Sequence, residues 1–152
     1  MKRDSRLSGV LHILLHMADA GEPRTSEQLA RAMRTNPVVV RRLLGGLRDA
    51  GLVHSEKGHG GGWTVVRNLA AISLADIYRA IGRPALIAMG NRDDAPDCLV
   101  EQAVNAALEA SFREAEALLL ARFERVTLAA LADDFHARLA ALPTACKDPV
   151  HG

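Results

Sequence analysis

Apolar residues near the start of the chain recur every three or four positions, which is the period of an amphipathic helix. They are Leu7, Val10, Leu11, Leu14 and Leu15. Gly21 can end this helix, because glycine readily adopts the left-handed conformation of a helix C-terminus. Thr25 and Gln28 then have the spacing of a capping box, which predicts a second, short helix from Ser26 to about Met33.

A third helix is predicted from Pro37 to about Ala50, because Asn36 is a favoured N-cap and proline fits the first helical position. Its apolar stripe comprises Val40, Leu43, Leu44 and Leu47, and its other face comprises Val38, Arg41, Arg42, Gly45 and Arg48. Two helices joined by a tight turn, with arginines on the outer face of the second, indicate a helix-turn-helix.

A β-hairpin is predicted next, with strands over Leu52–Glu56 and Trp63–Val66. The segment between them, Lys57–Gly62 (KGHGGG), is too rich in glycine for a helix and suits a hairpin tip. Such a hairpin is a wing, whose glycines let the backbone approach DNA while Lys57 and His59 contact phosphates or the minor groove.

The second half of the chain predicts helices that associate. Ser73 can cap a helix ending near Gly82, and Asp97 can cap a long helix that runs to about Arg125, some 40 Å at about 1.5 Å per residue. Thr127 can cap a final helix. The stripe of the long helix comprises Val100, Val104, Leu108, Ser111, Ala115, Leu118 and Leu119. So much apolar surface favours pairing with a second copy, although a monomeric helical bundle is an alternative.

Composition and charge narrow the class. The chain has 152 residues, 49% hydrophobic and 24% charged, which excludes a disordered protein. No apolar run is long enough to cross a bilayer, so we expect a cytoplasmic protein without a membrane partner. Residues 1–67 hold eleven Lys/Arg against six Asp/Glu, whereas residues 68–152 hold eight against twelve. A basic first half suggests a module that binds a polyanion.

Four segments, taken in order, resemble the BadM-type (Rrf-two) family of winged helix-turn-helix regulators. They are Thr25–Ala30 (TSEQLA), Leu47–Val53 (LRDAGLV), Lys57–Gly62 (KGHGGG) and Ile72–Ile77 (ISLADI). The resemblance covers residues 5–82 and continues to Cys98 and the helix behind it. It implies a DNA-binding regulator whose long helix forms the core of a dimer.

The expected architecture is mainly α-helical with a small β-hairpin wing. We expect a winged helix-turn-helix over residues 1–82, a connecting loop over 83–97, dimerisation helices over 98–142 and a flexible tail over 143–152. The partner would be double-stranded DNA with a pseudo-palindromic operator, and the protein would act as a repressor.

The predicted DNA contacts divide into two groups. Val38 and Arg41, followed by Arg42, are candidates for base edges, because arginine can bond guanine twice and valine can pack on a thymine methyl. Candidates for phosphate contacts or caps lie around them and in the wing: Ser26, Thr35, Asn36, Pro37, Arg48, Lys57 and His59.

The signal is a separate question. Several members of the resembled family bind an iron–sulfur cluster through three cysteines at the start of the dimer helix, but this chain has only Cys98 there. Val104 and Ala110 occupy the positions of the other two cysteines in the family's pattern, and Cys146 lies far away in the tail. No cofactor or metal is therefore predicted. Cys98, in the first helical turn after Asp97, is instead a candidate redox sensor. A structural Cys98 combined with a small-molecule ligand is the alternative.

Two other function classes are alternatives to a regulator. An enzyme is not expected, because no catalytic groups converge: His12 and His16 lack a further metal ligand, and the glycines at 58–62 lack the Lys-Ser/Thr of a phosphate loop. A winged-helix protein-interaction module without DNA binding is the remaining alternative. The outward arginines argue against it, and a salt-dependent affinity for duplex DNA would separate the two.

Overall fold

The computed structural model describes residues 4–94 and 97–142. Over these residues the chain forms six α-helices, one antiparallel pair of strands and a 3-10 turn at Leu69–Ala71. The elements are α1 (Arg6–Ala20), α2 (Ser26–Ala32), α3 (Pro37–Asp49), β1 (Val53–Glu56), β2 (Gly62–Val65), α4 (Leu74–Ala80), α5 (Leu99–Arg125) and α6 (Leu128–Ala141). The predicted mainly helical fold with a small hairpin is confirmed.

Local capping bonds define most helix starts, as predicted. Thr25 and Gln28 form the full capping box, with Gln28 N–H donating to Thr25 Oγ1 at 3.2 Å and Thr25 N–H donating to Gln28 Oε1 at 2.8 Å. Asn36 Oδ1 accepts from Val38 N–H at 2.8 Å. Thr127 Oγ1 accepts from the backbone of α6 in the same way. Each bond satisfies a backbone donor that the first turn of a helix leaves unpaired.

The core is built by the first four helices and the start of α6. Its largest fully buried side chains are Ile13, Leu14, Leu44, Leu47, Ile72, Ile77 and Leu128. Leu128, the first residue of α6, lies in the core, and its N–H donates to the carbonyl of Ile72 at 2.8 Å. The chain after α5 therefore returns to the helix-turn-helix unit, and α6 packs along α1.

Helix α5 differs from the other α-helices because none of its 27 residues is buried. Its C-terminal end touches α4, where Phe123 meets the ring of Tyr78 edge-on at a centroid distance of 6.2 Å. The rest of the predicted stripe is exposed, including Val104, Leu108 and Leu118. An exposed apolar face of this length is typical of a surface that packs against another element or chain.

The start of α5 corrects one prediction. Cys98, not Asp97, is the N-cap: its backbone is extended, and its carbonyl accepts from Gln102 N–H at 3.0 Å. Aspartate ranks high as a cap because its side-chain oxygen can accept a backbone N–H, but the helix begins one residue later. Cys98 therefore lies just outside the first helical turn. The tail from 143 onward, with Cys146, lies outside the described residues.

Candidate nucleic-acid interface

The outer face of α3 carries the residues predicted to meet DNA bases. Val40, Leu44 and Leu47 bury the inner face of α3, which leaves the side chains of Arg41 and Arg42 in solvent. Val38, in the first turn of α3, is 64% exposed although its side chain is apolar. An exposed valine one helical turn before two arginines suits contact with a thymine methyl and neighbouring polar base edges.

Two of the three α3 arginines bind carboxylates within the protein. Arg41 donates from Nη2 to Glu27 Oε1 of α2, and Arg48 pairs with Asp49 at 3.1 Å. Arg42 has no ion-pair partner among the described residues. Both pairs are largely exposed and screened by solvent, so they add little to the stability of the fold.

The start of α2 connects this face to the hairpin. Ser26 Oγ accepts a hydrogen bond from the indole Nε1–H of Trp63 in β2 at 2.9 Å. Ser26 is only 6% exposed, and its side chain anchors the wing in the free protein. Its predicted role as a phosphate contact or cap stays a prediction, and its burial makes it less accessible than the other candidates.

The turn of the helix-turn-helix and the wing place the other candidates. Thr35 is exposed in the turn, Asn36 caps α3, and Pro37 occupies its first position, half-buried. Lys57 and His59 are exposed at the hairpin tip. The structure describes these positions for the free chain, and their contacts with DNA stay predictions.

Close backbone contacts explain where the wing sits. Arg24 pairs with Trp63 through two backbone bonds, 3.0 and 2.8 Å long, which ties β2 to the segment before α2. At Gly62 (φ +158°), a Cβ atom would lie 2.8 Å from the carbonyl oxygen of Arg24. Only glycine lets the two segments approach so closely.

Glu27 and the structural role of Trp63 were not predicted from the sequence. Their partners lie 14 and 37 residues away, so no short motif points to them. An acidic residue in the first turn of α2 was visible, but acidic residues are common there because they complement the helix dipole. Three consecutive residues make distinct contacts: Thr25 caps α2, Ser26 hydrogen-bonds Trp63 of the wing, and Glu27 pairs with Arg41.

Cys98 is an exposed free thiol. Its sulfur faces the backbone N–H groups of Val100 and Glu101 without a capping bond of normal geometry. These groups, Glu101 first, lower the pKa of the thiol below its ordinary value, because their dipoles favour the thiolate.

The residues at this end of α5 do not fit a metal or cluster site. Over residues 4–94 and 97–142, no three His, Cys, Asp or Glu side chains come together to hold a metal. Thiolate ligation needs several sulfurs in a compact site, and valine and alanine occupy positions 104 and 110. His12 and His16 lie exposed on α1 with their rings stacked, their Nε2 atoms 2.8 Å apart. None of the described helices is long and apolar enough to span a membrane.

The sequence and the fold of this chain are similar to those of known transcriptional regulators. Residues 3–134 match the profile of the Rrf2 family, described as iron-dependent transcriptional regulators. A Bacillus subtilis protein named as an HTH-type transcriptional regulator, YwnA, is 32% identical over 113 residues, which span 74% of this chain and 84% of YwnA.

Solved structures show the same fold. A crystal structure named as a transcriptional regulator from Lactobacillus plantarum superimposes with a TM-score of 0.71 and 25% identity, over 87% of this chain and 90% of that one. CymR, named as the global cysteine regulator of B. subtilis, superimposes with a TM-score of 0.60 and 24% identity, over 88% and 97% of the two chains. The chain therefore belongs to the Rrf2 family of winged-helix transcriptional regulators.

Proposed function

We propose that the protein is a homodimeric repressor that binds a pseudo-palindromic DNA operator in the cytoplasm. The observation that carries this proposal is the exposed, arginine-bearing face of α3 in a helix-turn-helix with a basic wing tip. In this arrangement α3 enters the major groove, and Val38, Arg41 and Arg42 reach base edges. Contacts with the sugar-phosphate backbone of the DNA come from Thr35, Asn36, Pro37, Arg48, Lys57 and His59.

The exposed face of α5 supports dimerisation. Leu118 is 75% exposed, and Val104 and Leu108 lie on the same predicted stripe. A second copy with the same face can bury all of it about a two-fold axis. The two α3 helices would then meet half-sites separated by about one turn of DNA, roughly 34 Å.

A pair of substitutions tests the dimer. Leu118→Asp places a charge in the apolar stripe, whereas Arg113→Asp places one on the polar face, where Arg113 pairs with Glu109 at 2.9 Å. We expect light scattering after size exclusion to give a dimer for the wild type and Arg113→Asp, and a monomer for Leu118→Asp. A monomeric wild type would contradict this part of the proposal.

DNA binding is tested by fluorescence anisotropy with a duplex from the promoter of the protein's own gene. We expect the affinity to fall steeply between about 50 and 200 mM salt, since each neutralised phosphate contributes to the salt dependence. If that duplex does not bind, selection from a random-sequence library decides. Failure of both would favour the protein-interaction module instead.

The proposed signal acts through Cys98. An exposed thiol with a lowered pKa is open to oxidants and electrophiles, and Cys98 begins the helix proposed to form the dimer. We expect an oxidant to change the DNA affinity of the wild type but not of Cys98→Ser. Equal responses of the two proteins would refute this role.

One observation favours a ligand as the alternative signal. A cleft of about 440 Å³ lies between α1 and α6, and four apolar and four polar residues line it: Leu11, Leu15, Leu131, Phe135, Ser8, His12, His16 and Asp19. This volume falls in the range of small-molecule sites, roughly 300–1,000 Å³. A response to a small apolar effector that survives Cys98→Ser would assign the signal to this cleft.

A further inference from the structure

Glu27 links the two helices of the helix-turn-helix through a side-chain contact. Its Oε1 accepts a hydrogen bond from Nη2 of Arg41, which stands 14 residues later and one helix away. Both side chains are about half exposed, at 52% and 54%, so the pair lies at the surface, next to the face of α3 proposed to meet DNA. The contact lies outside the hydrophobic core, which suggests a role at the protein surface.

The carboxylate of Glu27 is stabilised in its charged form. Glu27 lies in the first turn of α2, next to the capping box of Thr25 and Gln28. The pKa of Glu27 lies below its ordinary value, chiefly because its own backbone N–H hydrogen-bonds the carboxylate, with Arg41 and the Thr25 side chain adding to the effect. Glu27 therefore stays ionised at neutral pH and is a charged acceptor for Arg41.

The contact restricts Arg41 without using up its donors. A guanidinium has five N–H donors in a rigid plane, and a bidentate contact with guanine needs two of them. One donor bonds Glu27, which leaves enough for a base edge. Holding a long side chain in one orientation before binding reduces the conformational entropy lost on the DNA.

The charge of Glu27 has a second effect. A carboxylate beside Arg41 repels phosphates, so the guanidinium gains less from the DNA backbone and more from a base edge. A lone arginine on this surface would bind any sequence through the phosphates.

We propose that Glu27 is a positioning residue that directs Arg41 to a base edge and thereby contributes to operator specificity. This inference rests on the proposed DNA-binding function. It does not require Glu27 to touch DNA, because Glu27 acts through Arg41.

The test compares two isosteric substitutions that each remove one negative charge. Glu27→Gln weakens the hold on Arg41, whereas Asp49→Asn changes the partner of Arg48 at the other end of α3. Anisotropy titrations use the duplex that the wild-type protein selects from a random library, and a scrambled duplex of the same length. The measured quantity is the ratio of the two affinities.

We expect both variants to bind the scrambled duplex about twofold more tightly, because each loses a charge that repels phosphates. Glu27→Gln should lower the specificity ratio by about fivefold, a part of the roughly 5- to 150-fold that one bidentate base contact supplies. Asp49→Asn should leave the ratio unchanged. In an Arg41→Ala background, Glu27→Gln should no longer change the ratio, which a purely structural role of Glu27 would not predict.

An unchanged ratio for Glu27→Gln, or an equal loss in the Arg41→Ala background, would overturn the inference. Thermal unfolding of each variant at the same protomer concentration shows whether it is folded. If Glu27→Gln is unfolded, Glu27→Asp replaces it, since the shorter side chain keeps the charge but cannot keep the same reach to Arg41. If the wild type selects no duplex at all, the proposed function fails, which is distinct from failure of this inference.

Discussion

The contact between α3 and α4 gives a sharp test of the packing, because two adjacent glycines in α3 have opposite surroundings. A Cβ atom on Gly46 would lie 2.5 Å from the backbone carbonyl oxygen of Ala80, near the end of α4. A Cβ atom on Gly45 would meet nothing within 4 Å. Gly46→Ala and Gly45→Ala are therefore matched substitutions that differ in whether the new methyl group has space.

Both substitutions gain the same intrinsic term. Replacing glycine by alanine inside a helix stabilises it by about 0.5–1 kcal/mol. At Gly46 the obstacle is backbone, so the helices must separate, and overpacking of this kind costs about 1–3 kcal/mol. We expect Gly45→Ala to stabilise the protein and Gly46→Ala to destabilise it, with a separation of about 2 kcal/mol, or about 4–8 °C in Tm for a chain of this size.

Circular dichroism at 222 nm during heating and in urea measures both quantities. All proteins are compared at one protomer concentration, because the stability of an associating protein depends on it. Gly9→Ala is a useful third variant, since the atom near its Cβ is the movable end of Met33 at 2.8 Å, which can shift at little cost. Equal or higher stability of Gly46→Ala relative to Gly45→Ala would refute the close packing of α3 on α4.

Three further outcomes are expected. Ser26→Ala should lower the free energy of unfolding by about 1 kcal/mol, because it removes the acceptor of the Trp63 indole. It should change the DNA affinity less than twofold. A large loss of affinity with unchanged stability would instead indicate that Ser26 contacts DNA. Ser73 lowers the pKa of Asp76 by its side-chain and backbone hydrogen bonds, so this stabilisation is present above the unfolded pKa of Asp76 and is lost as the pH falls through the lower, folded pKa. Asp76→Asn should therefore reduce stability at pH 7 and have less effect near pH 3, as urea unfolding at several pH values will show. Alkylation of Cys98, followed by mass spectrometry with Cys98→Ser as the control, should reach half its maximal rate at a lower pH than a free cysteine does, and a midpoint at or above that of free cysteine would contradict the lowered pKa.

The parts of the fold that follow from short-range rules could be predicted from the sequence. Thr25 and Gln28 are three residues apart, and Asn36 caps a donor two residues later, so their spacing alone determines the bonds. The glycine-rich tip of the hairpin is equally local. These signals were enough to locate the helix-turn-helix and the wing.

The contacts that orient these elements could not be predicted in the same way. The bonds from Trp63 to Ser26 and from Arg41 to Glu27 join distant positions, and a serine in a first helical turn gives no sign of being buried. The need for glycine at position 46 is likewise visible only in the fold, where Ala80 lies against it. The start of α5 was misplaced by one residue because cap preferences rank residue types, whereas the backbone bond from Gln102 to Cys98 fixes the boundary.

Two short stretches of the chain account for how α3 is held. Thr25, Ser26 and Glu27 fix α2, the wing and Arg41 from one side. From the other side, consecutive residues of α4 face two ways. Ala80 lies against α3, while Arg79 pairs with Glu124 of α5 at 2.6 Å.

Helix α4 therefore lies between the helix proposed to read DNA and the helix proposed to form the dimer. Packed helices shift as units and do not deform continuously, because their side chains are close-packed. We therefore expect a change in the pairing of α5 to reach α3 as a movement of the whole winged-helix unit. In the proposed dimer, such a movement would alter the spacing of the two α3 helices, which a two-fold symmetric operator would detect, whereas the proposed base contacts of each helix would stay the same.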